Sequence, residues 1–186
     1  MRLAGRHGLV LQHVNPRIGK ALAPVDSSTW VPPQEELEAA LLPPGMQQLT
    51  LHELRDLAVA AFPASRRGAR LWGAFDRFFA ALSRANVARE IWVGGSFLTR
   101  TADPKDVDLV AVLVPERMEA LGSERASELY EELLDQGALL AEGLDVSAMF
   151  DGDLILRAYW QGVFGFGRGT RAKGIAIVPT PTLGSS

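Results

Sequence analysis

Several residue types that usually mark a site are scarce in this sequence. It contains no cysteine, which excludes disulfide bonds and thiolate zinc sites. Its three histidines are His7, His13 and His52, and none is paired at a spacing typical of metal ligands. No apolar run reaches the roughly 18 residues that a membrane span requires. The start of the chain lacks the pattern of a signal peptide, so we expect a cytoplasmic protein with no membrane partner.

The charge balance also excludes a general attraction to polyanions. The 186 residues carry a formal net charge of −3. A protein with this net charge is not attracted as a whole to nucleic acid or to an anionic membrane. A local basic groove remains compatible with this value. Hydrophobic residues make up 47% of the chain, which is enough for a core, and the length fits one domain.

Proline and glycine indicate the domain boundaries. Residues 1–33 contain several prolines and turn-forming residues, so we expect an irregular N-terminal arm. Residues 34–180 are predicted to form a single domain. Residues 181–186 end in Gly-Ser-Ser and are predicted to be a flexible tail.

The first half of the domain has the pattern of helices. A short helix is predicted over Gln34–Leu42, because prolines precede it and Pro-Pro-Gly follows it. Thr50 and Glu53 match the capping box, so a second helix should begin there and run to about Phe62. A third helix is predicted over Arg67–Asn86. Its apolar residues recur at helical spacing and form one stripe: Leu71, Phe75, Phe78, Phe79 and Leu82.

The second half alternates strands with helices. Four apolar runs are predicted to be strands: Glu90–Val93, Val107–Val114, Leu144–Phe150 and Gly174–Val178. Two helices are predicted between them: Glu116–Gln136, ended by Gly137, and Asp153–Gln161. Residues 162–169 are rich in glycine and should form a loop. This pattern predicts an α+β fold, with a small mixed sheet, helices packed on it and an N-terminal helical layer.

Two aspartates open the second predicted strand. Asp106 and Asp108 are two residues apart, so the alternation of a strand would direct both side chains to one face. Two neighbouring carboxylates repel each other unless they are solvated or bind a cation. Mg²⁺ prefers such oxygen ligands, completed by substrate phosphates. The alternative is a strand entry with two exposed aspartates.

A third aspartate lies in the next predicted strand. Asp145 stands between Leu144 and Val146. If this strand pairs beside the first, Asp145 can join the same metal cluster, which would then have the protein ligands of a two-metal phosphoryl transfer site. The alternative is a strand residue that faces solvent.

A glycine-rich turn precedes the aspartates. Gly94, Gly95 and Ser96 follow a buried strand. Glycine allows backbone N–H groups to approach a phosphate closely, and a helix that begins at Ser96 would direct its positive end there. The serine hydroxyl is a further phosphate donor. Such a turn alone is weak evidence, since most turns of this kind bind nothing.

Basic residues occur at two further places. Lys173 follows the glycine-rich loop together with Arg168 and Arg171, and these residues could bind a triphosphate or belong to a plain surface hairpin. The sequence 66–70 contains three arginines, Arg66, Arg67 and Arg70, which fit either an RNA acceptor or a solvated helix face.

Together these residues resemble the nucleotidyltransferase superfamily of DNA polymerase beta. Members have a hydrophobic residue before Gly-Gly or Gly-Ser, then a spacer, an Asp-hydrophobic-Asp motif and a later acidic residue in a strand. The corresponding residues here are Val93, Gly95-Ser96, Asp106-Val107-Asp108 and Asp145, with nine residues between Ser96 and Asp106. The chain is most similar to small bacterial stand-alone members, including those of toxin–antitoxin type, and the resemblance is strongest over Ile91–Phe150.

The resemblance implies a nucleotidyltransferase-like fold and a Mg²⁺ or Mn²⁺ site at Asp106, Asp108 and Asp145. The implied reaction moves a nucleotide from an NTP, such as ATP, to the hydroxyl of a protein, an RNA end or a small molecule. The alternative is a non-catalytic interaction module, such as an antitoxin or a defence-system subunit, whose partner is a toxin-like protein. The oligomeric state stays open.

Overall fold

A computed structural model describes residues 39–101, 103–134, 136–166 and 171–181. In this part of the chain the strands form one five-stranded mixed sheet, in the order β1-β5-β2-β3-β4. The strands are β1 (Gly45–Gln48), β2 (Ala88–Gly94), β3 (Val107–Leu113), β4 (Leu144–Phe150) and β5 (Gly174–Pro179). A mixed sheet with helices packed on it confirms the predicted α+β class.

The directions of the strands determine which residues meet at each end of the sheet. β2 is antiparallel to both β3 and β5, whereas β3 is parallel to β4 and β1 is parallel to β5. The end of β2 therefore lies beside the starts of β3, β4 and β5. We call this edge the turn end, because β2 leads there into the Gly94–Ser96 turn.

Six α-helices occur in the described residues. They are α1 (Leu51–Arg55), α2 (Arg66–Ala85), α3 (Pro115–Ala120), α4 (Ser123–Leu134), α5 (Gln136–Glu142) and α6 (Leu154–Gly165). A π-helical turn over Asp56–Ala60 continues α1, and a single 3₁₀ turn covers Ser96–Leu98. No helix in the described part of the chain has both the length and the apolar character needed to cross a membrane.

Helices cover both faces of the sheet. Alternate residues of β3 point to opposite sides, so Leu109 and Ala111 join a core with α2, whereas Val110 and Val112 join a second core with α6. The apolar stripe predicted on α2 is buried in the first core: Leu71, Phe75, Phe78, Phe79 and Leu82. On the other face, Trp160 and Phe164 of α6 pack against Trp92 and Ile175.

The ends of α2 agree with the sequence pattern. The Ser65 hydroxyl caps its first turn by accepting a hydrogen bond from the Gly68 N–H at 2.9 Å. At the other end Asn86 adopts the left-handed conformation, with φ of 53°. The observed helix, Arg66–Ala85, therefore agrees with the predicted range, Arg67–Asn86, to within one residue at each end.

Two predictions for the N-terminal half need correction. The capping box of Thr50 and Glu53 is confirmed, but the α-helix ends at Arg55 and continues only as a π-helical turn, short of Phe62. The helix predicted over 34–42 is absent in its described part, 39–42, where Ala40 forms a β-bridge with Thr99. Residues 34–38 lie outside the described residues, as does the predicted arm. The strand β1 was not predicted, because it is short and has no β-branched residue.

The helices of the second half also differ from prediction. The helix predicted over 116–136 is interrupted at Gly122, which has φ of 78° and separates α3 from α4. Gly137 does not end a helix, because α5 includes it. α6 extends past Gln161 to Gly165, so the first part of the predicted glycine-rich loop is helical. The four predicted strands are confirmed within a few residues. Of the tail, residues 182–186 lie outside the described residues.

Candidate functional site

Asp108 and Asp145 lie side by side on neighbouring strands. They are register partners in the parallel pair of β3 and β4, so their Cα atoms are separated by about one strand spacing of 4.8 Å. The flanking residues Val107, Leu109, Leu144 and Val146 are buried in the core beneath α2. Both aspartates therefore face the opposite side of the sheet, which α6 covers, and both are partly exposed there.

Asp106 lies directly before β3. β3 begins at Val107, so Asp106 precedes the strand and lies outside its hydrogen-bonded ladder. Among the described residues, no group of three or more histidine, aspartate or glutamate side chains is arranged around a common metal position. The structure thus brings together Asp108 and Asp145, and the participation of Asp106 stays a prediction.

The Gly94–Ser96 turn lies against Asp108. Gly94 is the register partner of Asp108 across the antiparallel pair of β2 and β3. Gly95 has φ of 71°, and a Cβ atom added there would overlap Asp108 Oδ2. The carboxylate therefore occupies the space that any side chain at Gly95 would need. The turn requires glycine at this position for two reasons, its conformation and this close approach.

Ser96 begins a helical segment, as predicted, but the segment is only one turn. The 3₁₀ turn covers Ser96–Leu98, and the Ser96 carbonyl accepts hydrogen bonds from the Thr99 N–H at 3.1 Å and from its hydroxyl at 2.8 Å. A helix of three residues has no substantial dipole. A helix dipole therefore contributes little at Ser96, and the local backbone N–H groups and the Ser96 hydroxyl are left for phosphate binding.

Lys173 is placed near the carboxylates by the start of β5. Its backbone N–H donates to the Gly165 carbonyl at 2.8 Å, which joins this residue to the end of α6. Burial lowers the pKa of the Lys173 amine, and the neighbouring Asp108 carboxylate opposes that shift. Lys173 is thus electrostatically coupled to Asp108. Arg171 is exposed, and Arg168 lies outside the described residues.

The role of α6 at this position was not evident from the sequence. A Cβ atom on Gly94 would lie 2.6 Å from Cδ2 of Phe164, so the aromatic ring packs directly on the glycine. At the other end of the helix, Arg157 lies over the Trp92 ring at 5.1 Å and pairs with Glu90 at 3.6 Å. α6 is therefore held at both ends and supports the turn. The helical spacing of Trp160 and Phe164 was the signal for this longer helix.

One family model matches most of the chain. A model described as "Family of unknown function (DUF6932)" matches residues 35–179. The chain belongs to this family. The matched region contains every site residue predicted from the sequence, from Gly94 to Lys173. Searches of curated proteins and of solved structures found no match. The family thus defines the extent of the domain, and its function has to be inferred from the site.

Proposed function

We propose that this protein is a magnesium-dependent nucleotidyltransferase, which moves a nucleotide from an NTP to an acceptor hydroxyl. The observation that carries the proposal is the pairing of Asp108 with Asp145 on one face of the sheet, against the Gly94–Gly95 turn. Two adjacent carboxylates, a glycine-rich turn and a lysine are the groups that a metal-bound triphosphate requires. The resemblance to the DNA polymerase beta superfamily supports the same chemistry from the spacing of these residues.

The residues fit Mg²⁺ or Mn²⁺ in chemical type. The donor set is made of carboxylate oxygens, which these hard cations prefer, and one or two carboxylates with substrate phosphates are a usual magnesium site. The lack of a side chain at Gly95 leaves the Asp108 carboxylate directly beside the backbone of the turn. When bound, the metal supplies charge neutralisation at the phosphates and lowers the pKa of the acceptor hydroxyl.

The residues of the site have defined tasks in this reaction, and Asp145 has two of them. Asp108 and Asp145 hold the metal, the backbone N–H groups of the turn orient the phosphates, and Lys173 neutralises negative charge on the leaving pyrophosphate. The acceptor oxygen forms a bond to the α-phosphorus while the bond from that phosphorus to the pyrophosphate oxygen breaks. Asp145 takes the hydroxyl proton and passes it to water.

A second candidate is a non-catalytic interaction module, such as an antitoxin or a defence-system subunit. The exposed apolar side chains of α6 favour it. Leu154 and Ile155 have 75% and 83% of their surface accessible, and Val163 and Phe166, beside the end of the helix, have 45% and 52%. Exposed apolar groups along one helix are suited to a protein partner.

The test is a paired binding and transfer assay. Each labelled NTP is incubated with Mg²⁺, cell lysate and wild-type protein, Asp145→Asn or Asp76→Asn. Asp76 is an exposed aspartate on α2, so its substitution is the matched control. We expect Asp145→Asn to lose transfer by about 100-fold or more, well beyond any loss of metal-dependent NTP binding, because general-base contributions are of that size.

The outcomes separate the two candidates. Transfer by wild type and Asp76→Asn, but not by Asp145→Asn, supports the enzyme. If no acceptor in the lysate is labelled by any NTP while the protein captures a partner through α6, the interaction module is supported. Undiminished transfer by Asp145→Asn would remove this residue from the mechanism.

A further inference from the structure

Three arginines occupy the first five residues of α2. Arg66, Arg67 and Arg70 are all exposed, and the first turn of this helix contains no acidic residue. The whole helix has five arginines and one aspartate, a net charge of +4, although the chain as a whole carries −3. Positive charge is therefore concentrated on this helix, at its N-terminal end above all.

The local electrostatics of the helix disfavour this arrangement. The N-terminus of an α-helix carries partial positive charge, so acidic residues stabilise its first turn and basic residues destabilise it. Arg66 and Arg70 are also four residues apart, a spacing at which like charges repel. A sequence that departs from these local rules without a structural gain is a candidate for a functional surface.

No carboxylate in the described residues forms an ion pair with these arginines. Arg67 Nη2 donates to the backbone carbonyl of Lys105 at 2.9 Å, which neutralises no charge. By contrast, Arg77 on the same helix forms an ion pair with Glu142, with an N–O distance of 2.6 Å. The charge at the start of α2 is thus available to an external anion.

The contacts of α2 place these arginines at the same end of the sheet as the candidate site, although α2 packs on the face opposite Asp108 and Asp145. Besides the bond from Arg67 to Lys105, the Ser65 hydroxyl donates to Asp103 Oδ1 at 3.1 Å. Both contacts join the start of α2 to the segment 103–105, which leads through Asp106 into β3. Lys105 is itself exposed. We call Arg66, Arg67, Arg70 and Lys105 the basic patch, and it adjoins the turn end of the sheet.

We propose that the basic patch binds the phosphates of a single nucleic-acid strand, whose terminal hydroxyl is the acceptor at Asp108 and Asp145. The acceptor role rests on the proposed function, whereas the binding does not. Guanidinium groups form bidentate hydrogen bonds with phosphate oxygens, and they remain charged at every physiological pH. Arg66 and Arg70 are separated by about 6 Å along the helix axis, which suits phosphates one or two nucleotides apart.

Binding is measured by fluorescence anisotropy, without metal or NTP. The probes are 5′-labelled single strands of RNA and of DNA with equal length and sequence, titrated at several salt concentrations. For wild type, neutralisation of four phosphates would give a slope of log K against log salt of about −3. The double variant Arg66→Glu/Arg70→Glu should bind at least 10-fold more weakly and with a shallower slope.

Arg84→Glu is the matched control. Arg84 is exposed on the same helix, but at the opposite end, about 27 Å from Arg66 along the axis. Its reversal should weaken binding by about threefold or less, through net charge alone. The double variant introduces acids near a helix N-terminus, where they stabilise, so its melting temperature should not fall. Loss of binding with retained or increased stability therefore supports the basic patch.

The possible results divide clearly. Three results would overturn the proposed role of the basic patch. They are binding of neither strand by wild type, a loss of affinity in Arg84→Glu as large as in the double variant, and binding of the protein to anionic phospholipid vesicles in place of nucleic acid. Tighter binding of RNA than of DNA, or the reverse, identifies the strand. Binding of the strand without label transfer to it in the presence of Mg²⁺ and NTP would contradict the acceptor role, and it would contradict the proposed function only if no acceptor in the lysate is labelled either. Transfer to another acceptor without strand binding would refute this inference only.

Discussion

Asp108 and Asp145 are direct neighbours across the parallel pair of β3 and β4, and both project from the sheet face that α6 covers. Two carboxylates at one strand spacing repel each other unless a cation or hydrogen-bond donors compensate their charge. Lys173 supplies one positive charge near Asp108. Asp108 and Asp145 thus present two carboxylate groups side by side, which is a ligand arrangement that suits a divalent metal.

Metal binding should depend on the paired aspartates. Isothermal calorimetry with Mn²⁺ should show an affinity at least tenfold lower for Asp108→Asn and for Asp145→Asn than for wild type, because each substitution removes a carboxylate ligand. Asp106→Asn tests the residue that precedes the strand, and we expect a loss there as well. The control Asp76→Asn should bind Mn²⁺ as wild type does. Equal binding by all the proteins would contradict a metal site at this position.

Substitution of Gly95 should impair nucleotide binding beyond its effect on stability. Gly95→Ala and Gly122→Ala both place a side chain at positive φ, of 71° and 78°, and Gly95→Ala should cost more unfolding free energy because its backbone conformation is essentially restricted to glycine. Only at Gly95 does the new Cβ meet the Asp108 carboxylate, whereas no atom of the described residues lies within 4 Å of the one at Gly122. NTP titration should therefore show weaker binding for Gly95→Ala alone. If both variants bind NTP alike, the turn has no role in binding.

The N-terminal cap of α6 should contribute to stability. Asp153 Oδ1 accepts hydrogen bonds from the N–H groups of Ile155 at 3.1 Å and Leu156 at 2.9 Å. Asp153→Ala should lower the free energy of unfolding by about 1 kcal/mol, measured by urea denaturation, and Asp153→Asn should retain most of it. An unchanged stability in Asp153→Ala would show that the cap is dispensable.

The pair of Asp151 and Arg89 should make stability depend on pH. The Arg89 guanidinium donates to Asp151 at 2.8 Å, and this hydrogen bond lowers the pKa of Asp151 although burial opposes the shift. A lowered folded-state pKa means that the carboxylate stabilises above its unfolded pKa of about 3.9. That contribution is lost as the pH falls through the folded-state pKa.

We therefore expect Asp151→Asn to be less stable than wild type by about 1 kcal/mol at pH 7. The difference should shrink as the pH falls below about 4, where wild type also begins to lose the charge. Denaturation curves of both proteins over this pH range measure it. Asp76→Asn provides the control, and a difference between wild type and Asp151→Asn that does not change with pH would exclude the ion pair as its cause.

The strands were predictable because their apolar runs are long enough to be distinctive. Val107–Leu113 and Leu144–Phe150 both have buried side chains on each face of the sheet, and these side chains form the apolar runs in the sequence. β1 has the sequence GMQQ, which has no strand propensity of its own and depends on pairing with β5. Similarly, the break at Gly122 depends on one backbone conformation within an otherwise helical pattern. Local sequence carries little information on such features.

The candidate site was predictable only in part. The spacing of the glycines and aspartates indicated the residues, but the pairing of Asp108 with Asp145 depends on strand order, which no local pattern specifies. Asp106 shows why strand boundaries matter. The alternation of side chains predicts its orientation only if Asp106 belongs to the strand, and the sequence does not specify at which residue β3 begins. The packing of Phe164 on Gly94 is a contact between distant parts of the chain, and it required the structure.

The strand order also affects when the sheet can be completed during synthesis. β5 lies between β1 and β2, although residues 174–179 are made after the other four strands of the described sheet. Until they emerge from the ribosome, β1 lacks its partner in the described sheet and β2 exposes the edge that includes Ile91, Trp92 and Val93. Unpaired apolar edges of this kind promote aggregation of nascent chains, and closure by a distant strand is slow. Chains truncated before residue 174 should therefore depend strongly on chaperones for solubility.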